Sequence, residues 1–82
     1  MALKLIFLGK LADLAGAAER ELLLASPLNW GGLVSQFDEV LRGEVCCEKV
    51  RVALNGSVLR DKSDLLAGEG DEVAFLPPVS GG

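Results

Sequence analysis

Apolar and polar residues first fall into order between Leu3 and Leu8. Leu3, Leu5 and Phe7 lie on one side and Lys4, Ile6 and Leu8 on the other, the period of a β-strand. Both sides are largely apolar. Such a strand is either central and covered twice, or it turns its second face to a partner. Lys10 to Ala15 reads as one short helical turn, closed by Gly16 as a C-cap. Glu19 to Ala25 reads as a second strand, and the Gly16-Ala17-Ala18 connection is short enough for it to pair back on the first. Ser26-Pro27 interrupts it.

From Asn29 the period changes. Trp30, Leu33, Val34, Phe37, Val40 and Leu41 recur at helical spacing, with Ser35, Gln36, Asp38, Glu39 and Arg42 between them. This predicts one amphipathic helix, stopped by Gly43, with Asn29 or Ser26 as its N-cap. Gly31 and Gly32 are poor helix formers, each costing ~1 kcal/mol relative to alanine in a helix interior, so regular turns start either there or at Leu33. Lys49 to Leu54 alternates again, with Val50, Val52 and Leu54 inward and Arg51 and Ala53 outward. Asn55-Gly56 is a tight hairpin turn returning through Ser57-Val58-Leu59. A polar connection from Asp61 ends in a Leu65-Leu66 anchor, Gly68-Glu69-Gly70-Asp71 forms a turn, and Glu72 to Leu76 is the last strand.

The order strand, strand, helix, strand, short strand, strand predicts an α+β layer structure, a mixed sheet packed on one main helix. The expected organisation is a single domain over residues 1–82, with 76–82 as a protruding tail. Neither Pro77 nor Pro78 donates a backbone hydrogen bond, so the sheet ladder should end near Leu76. The Pro-Pro step favours an extended course, and Pro77 to Gly82 would span about 20 Å at ~3.3 Å per residue. Gly81 and Gly82 carry no side chains, so a carboxylate at Gly82 fits a channel closed to other residues. A frayed terminus is the alternative reading of the same residues.

Composition narrows the classes. Half of the 82 residues are hydrophobic, which argues against disorder. The net charge of −4 argues against nucleic-acid binding, which wants a basic face. Lys10 and Asp13 cut the opening apolar run too soon for a signal peptide. No stretch approaches the ~20 apolar residues of a membrane span, so the expected location is cytoplasmic, with no membrane contact. Two cysteines and no histidine leave little for a metal site, since structural zinc usually takes four ligands, and none is expected.

With the tail and the element order together, the chain resembles the ubiquitin-like sulfur carriers, and among them the small-subunit family of molybdopterin synthase. The residues that carry the resemblance are Gly70-Asp71-Glu72-Val73-Ala74-Phe75-Leu76-Pro77-Pro78-Val79-Ser80-Gly81-Gly82. Supporting matches are Phe7-Leu8 through Leu14-Ala15-Gly16 and the Val52-Ala53-Leu54-Asn55-Gly56 hairpin. The resemblance implies a ubiquitin-like β-grasp fold and a carrier of activated sulfur with no independent active site. An adenylating enzyme like those of ubiquitin would use ATP to activate the Gly82 carboxylate. A sulfur donor protein would then convert it to a thiocarboxylate, and no cofactor would be bound. The tail, Pro77, Pro78, Val79, Ser80 and Gly81, would enter a large catalytic subunit within a heterotetramer. There sulfur would pass to cyclic pyranopterin monophosphate in molybdenum cofactor biosynthesis. The chain departs from the family's uninterrupted helical pattern at Trp30-Gly31-Gly32. A sister carrier for thiamine thiazole or another thiolation pathway, and a ubiquitin-like modifier, are the alternatives.

The remaining candidates are weighed singly. If Leu3, Leu5, Phe7, Val73 and Phe75 face the helix, parity puts Leu8 and Leu76 on the opposite side, where Val58 joins them as a partner-binding patch. Cys46-Cys47 reads as a pair of small buried hydrophobes. Lys4, Lys10, Arg51, Arg60 and Lys62 read as scattered surface basics. Asp71 and Glu72 point apart, so turn chemistry explains Asp71 better than a carboxylate pair.

Overall fold

The computed structural model describes residues 2–78. Strand β1 (Leu3–Phe7) is followed by helix α1 (Lys10–Ala15) and strand β2 (Glu19–Leu22). Next come β3 (Leu28–Asn29), α2 (Trp30–Val34), α3 (Glu39–Val45), β4 (Arg51–Leu54) and β5 (Ser57–Val58). A 3-10 turn (Lys62–Asp64), β6 (Leu66–Ala67) and β7 (Glu72–Leu76) complete the order. Five strands form a mixed sheet ordered β2-β1-β7-β4-β5, and β3 pairs with β6 in a separate two-stranded sheet. β7 runs parallel to β1 and antiparallel to β4. The last strand is therefore the central one.

The alternation in β1 and β7 sorts as its period demands. Leu3, Leu5, Phe7, Val73 and Phe75 are buried, and they share one core with Leu11, Leu33, Phe37, Leu41, Val45, Val52 and Leu65. Phe7 and Phe75 are register partners, and their rings stack at 5.0 Å. Phe37 meets both edge-on, at 5.8 and 5.7 Å, the arrangement that ring quadrupoles favour. The expected turns form as well. Gly16 closes α1 in the left-handed conformation. Asn55 and Gly56 both have positive φ, as a two-residue turn between Leu54 and Ser57 requires.

The single helix expected from Asn29 to Gly43 is two helices. Asn29 caps the first, its side chain accepting from the Gly32 N–H at 2.8 Å, so regular turns start at Trp30 and include both glycines. A Cβ on Gly32 would sit 3.2 Å from Leu28 Cδ2 and 3.3 Å from Asn29 Oδ1, which is why glycine stands there. The helix then tightens through i→i−3 bonds, Gln36 N to Leu33 O and Phe37 N to Val34 O. Asp38 turns extended and caps a new helix by accepting from the Leu41 N–H at 2.8 Å. A side-chain cap has displaced continuation of the backbone ladder. The break also shifts the phase, so Val40 is 67% exposed while Leu41 and Val45 are buried, and Gly43 lies inside α3 rather than ending it.

Three further expectations change. β2 stops at Leu22 instead of Ala25, leaving Leu23 89% exposed. Only half of the Leu65-Leu66 anchor is inside: Leu65 is buried, and Leu66 is exposed on the β3–β6 pair that the sequence did not suggest. Cys46 and Cys47 are both exposed and unpaired, not buried as their type suggested. They lie just past the last turn of α3, whose inward positions are taken by Leu41 and Val45.

Candidate functional site

The place where the chain leaves the sheet is built by both neighbours of β7. Leu76 is the register partner of Arg51 at the start of β4, and the Leu8 N–H on the β1 side donates to the Phe75 carbonyl at 3.3 Å. Pro77 is half-buried. A Cβ on Gly9 would come within 3.1 Å of Pro77 Cγ, and Gly9 also holds a φ of +56°, so both space and backbone call for glycine. Gly9 thus seats the first tail residue, a role invisible in its local pattern. Val79, Ser80, Gly81 and Gly82 lie outside the described residues, so their assignment as a carrier tail rests on the sequence.

Beside this exit lies the sheet face opposite the helices. Register partners share a face, and Ile6, Ala74, Ala53 and Val58 form a row across β1, β7, β4 and β5. Leu76 and Arg51 make the next row, with Leu8 at its β1 end. Leu8 and Val58 are 43% and 55% exposed, Leu76 is half-buried, and none of the three belongs to the core. The structure therefore brings together the three residues that parity selected. It adds Ile6 and Ala74, whose signal was the same alternation extended by pairing. At its other end the face is charged, with Lys4 beside Glu72 and Glu21 in register and 3.9 Å from Glu19.

Asp71 sets where β7 begins. One carboxylate oxygen accepts from the Gly68 N–H at 2.8 Å, and the other accepts from Asn55 Nδ2 at 3.0 Å. Asn55 Oδ1 in turn accepts from the Glu72 N–H at 2.8 Å. The Gly68 bond, followed by the Asn55 bond, holds the Asp71 carboxyl below the usual aspartate range. The hairpin turn is thereby tied to the first residue of the central strand, the structural role expected of Asp71.

The five basic residues divide. Lys4 pairs with Glu19, and Lys10 bonds Glu44 at 2.8 Å, which raises the Lys10 pKa. Arg51, Arg60 and Lys62 gather at one cleft with Cys46. Among the described residues no group of three or more His, Cys, Asp or Glu could hold a metal ion, and no helix is long and apolar enough to cross a membrane.

Comparison with known proteins places this geometry. The model of the ThiS family matches residues 5–82. The chain belongs to the ThiS family. Solved structures similar to this ThiS-family chain include small archaeal modifier protein 1 (SAMP1) of Methanosarcina acetivorans, at 24% identity and a TM-score of 0.73. That match covers 99% of this chain and 96% of the other. SAMP1 of Haloferax volcanii matches at 22% identity and a TM-score of 0.71, with both chains fully covered. A chain from the complex of subunits 1 and 2 of molybdopterin-converting factor from Helicobacter pylori matches at 21% and 0.66, again with full coverage of both. At these identities the structural matches establish the fold, a ubiquitin-like β-grasp. No curated protein matches the chain. Family and fold agree with the resemblance to the ubiquitin-like sulfur carriers.

Proposed function

We propose that this protein is the sulfur-carrier subunit of a molybdopterin synthase. The observation that supports this most directly is the exit of β7. The central strand ends at Leu76 beside an apolar sheet face, and Pro77, seated on Gly9, starts the tail toward Gly81-Gly82. A partner gripping Leu8, Val58 and Leu76 would have the tail's origin at the edge of the contact. Burial of that face would supply affinity, and the glycines would enter the partner's catalytic channel.

The chemistry follows from the terminal group. A carboxylate is a poor electrophile. Attack of a Gly82 carboxylate oxygen on the α-phosphorus of ATP, with loss of pyrophosphate, makes an acyl adenylate with a good leaving group. A persulfide sulfur of the donor then attacks the acyl carbon and AMP departs, giving an acyl disulfide. A second thiol attacks the donor's sulfur, the S–S bond breaks, and the electron pair leaves on the thiocarboxylate. In the large subunit that soft nucleophile attacks a carbon of cyclic pyranopterin monophosphate and displaces an oxygen substituent. Water then hydrolyses the resulting thioester, leaving sulfur on the pterin and a free carboxylate on Gly82. The proposed carrier supplies no acid, base or metal to this step, only a tether and a docking face.

A second reading is a ubiquitin-like modifier that uses the same carboxylate to form isopeptide bonds with lysines. It is favoured by the fold likeness to the small archaeal modifier proteins. Intact-mass measurement on protein isolated from its own cells separates the two, because the carrier is expected as free acid and thiocarboxylate and the modifier as lysine conjugates. In a reconstituted assay, deletion of Gly82, or Gly81→Val, should abolish sulfur transfer while docking persists. A misplacement of about 1 Å at a reacting centre costs on the order of 100-fold in rate. Molybdopterin formation by the deletion variant would overturn the sulfur-carrier mechanism.

A further inference from the structure

Below the last turn of α3 an open cleft of about 430 Å³ is lined by Cys46, Glu48, Arg51, Arg60, Asp61 and Lys62. Its three cations come from different parts of the chain. Arg51 opens β4, Arg60 follows β5, and Lys62 starts the 3-10 turn. Lys62 is held in place: its Nζ donates to the Val45 carbonyl at 2.8 Å and to the Cys47 carbonyl, and the Trp30 ring lies 5.7 Å away. Burial lowers the Lys62 pKa. Cys46 lines the same cleft as Lys62, and the bonds from Nζ to the Val45 and Cys47 carbonyls set the ammonium beside this stretch of chain.

Of the two carboxylates in the cleft, Asp61 is engaged by the Ser63 N–H and hydroxyl at 2.9 and 2.7 Å. With three cations to two carboxylates, the cleft is locally positive on a chain of net charge −4. Cys46 is exposed and lines it. Cys47 is exposed but does not line it, and it also feels Lys10 on α1.

We propose that Cys46 is a thiol–disulfide exchange site for low-molecular-weight disulfides that carry negative charge. The Cys46 thiol releases its proton to water, and the thiolate attacks one sulfur of the disulfide. A protein–sulfur bond forms and the reagent's own S–S bond breaks. The electron pair leaves on the departing thiolate, which takes a proton from water if its pKa calls for one. The cysteine is oxidised and half of the reagent is reduced. Cys47 is poorly placed to resolve the adduct: adjacent Cα atoms lie ~3.8 Å apart across a trans peptide, below the usual disulfide range of roughly 4.4–6.8 Å. The mixed disulfide therefore persists until an external thiol removes it. This site does not depend on the reading of Gly82.

The test compares the full chain's reaction with the dianionic probe dithiobis(2-nitrobenzoate) and the dicationic probe cystamine. Each rate is divided by that of the same chain unfolded in urea, and adducts are mapped by peptide mass. The expected result is labelling of Cys46 ahead of Cys47, with a normalised rate about tenfold higher for the anionic probe. This preference should collapse in high salt and in Arg51→Glu/Arg60→Glu. If that variant fails to fold, the salt series in the unaltered chain and the Cys46→Ser and Cys47→Ser variants still decide. Equal normalised rates for the two probes, or labelling mainly at Cys47, would overturn the proposal.

Discussion

Asp71 and Asn55 together order the turn that leads into β7, and the bonds to Asp71 make it sensitive to acid. Hydrogen bonds from Gly68 and Asn55 hold its carboxyl below the ordinary value, and Ser63 does the same for Asp61. A folded-state pKa below the unfolded one gives stability that is complete above the unfolded value of about 3.9. That stability is lost as pH falls through the folded value. Asp71→Asn removes this dependence at one site. Thermal midpoints followed from about pH 5 downward should therefore fall more steeply for the unaltered protein than for the variant, and parallel curves would show that the bonds do not favour the charged form. Asp71 was legible from sequence because Gly-x-Gly-Asp before an apolar run has a local explanation. Gly9 was not, because the need for glycine comes from Pro77, 68 positions away in sequence.

At the scale of the element, the strands of the five-stranded sheet were legible, the β3–β6 pair was not, and the helical stretch was legible only in part. Alternation in β1, β4 and β7 is a two-residue signal that survives small errors in the ends, and the Asn55-Gly56 turn fixes its own register. The spacing from Trp30 to Leu41 fits a continuous helix almost as well as two short ones. Nothing in it reveals that Asp38 would cap a second start, which depends on its side chain reaching the Leu41 N–H. The two arrangements differ in what they ask of Val40. In one helix it belongs to the apolar stripe; with the break it faces solvent. Val40→Lys should accordingly change stability by no more than about 0.5 kcal/mol, whereas Leu41→Ala should cost ~2–5 kcal/mol. Asp38→Ala should cost about 1 kcal/mol through the lost cap, a drop of roughly 4–8 °C in Tm for a domain of this size. A Val40→Lys variant destabilised as much as Leu41→Ala would restore the continuous helix.

Across the whole molecule, the apolar face could be outlined from parity, but its extent needed the strand order, which places Ile6 and Val58 on one row through β7 and β4. On the proposed function, Leu76→Glu is expected to weaken binding of the proposed large subunit while circular dichroism stays native, since burying an unpaired charge at an interface is costly. Unchanged calorimetric binding in a folded variant would remove this face from the contact. The strand order also decides how the protein bears load. β1 and β7 are parallel neighbours, and β7 is bonded to β4 on its other side. A pull on the chain beyond Leu76 against an anchor before Leu3 runs along both ladders, so their bonds must yield together instead of peeling one by one. Single-molecule extension between those two points should show one high-force rupture, whereas extension between Lys49 and Pro78, which flank the same end of the antiparallel β4–β7 pair, should peel that pair open at lower force. A machine that drew in the tail would meet its stiffest resistance at the strand from which the tail departs.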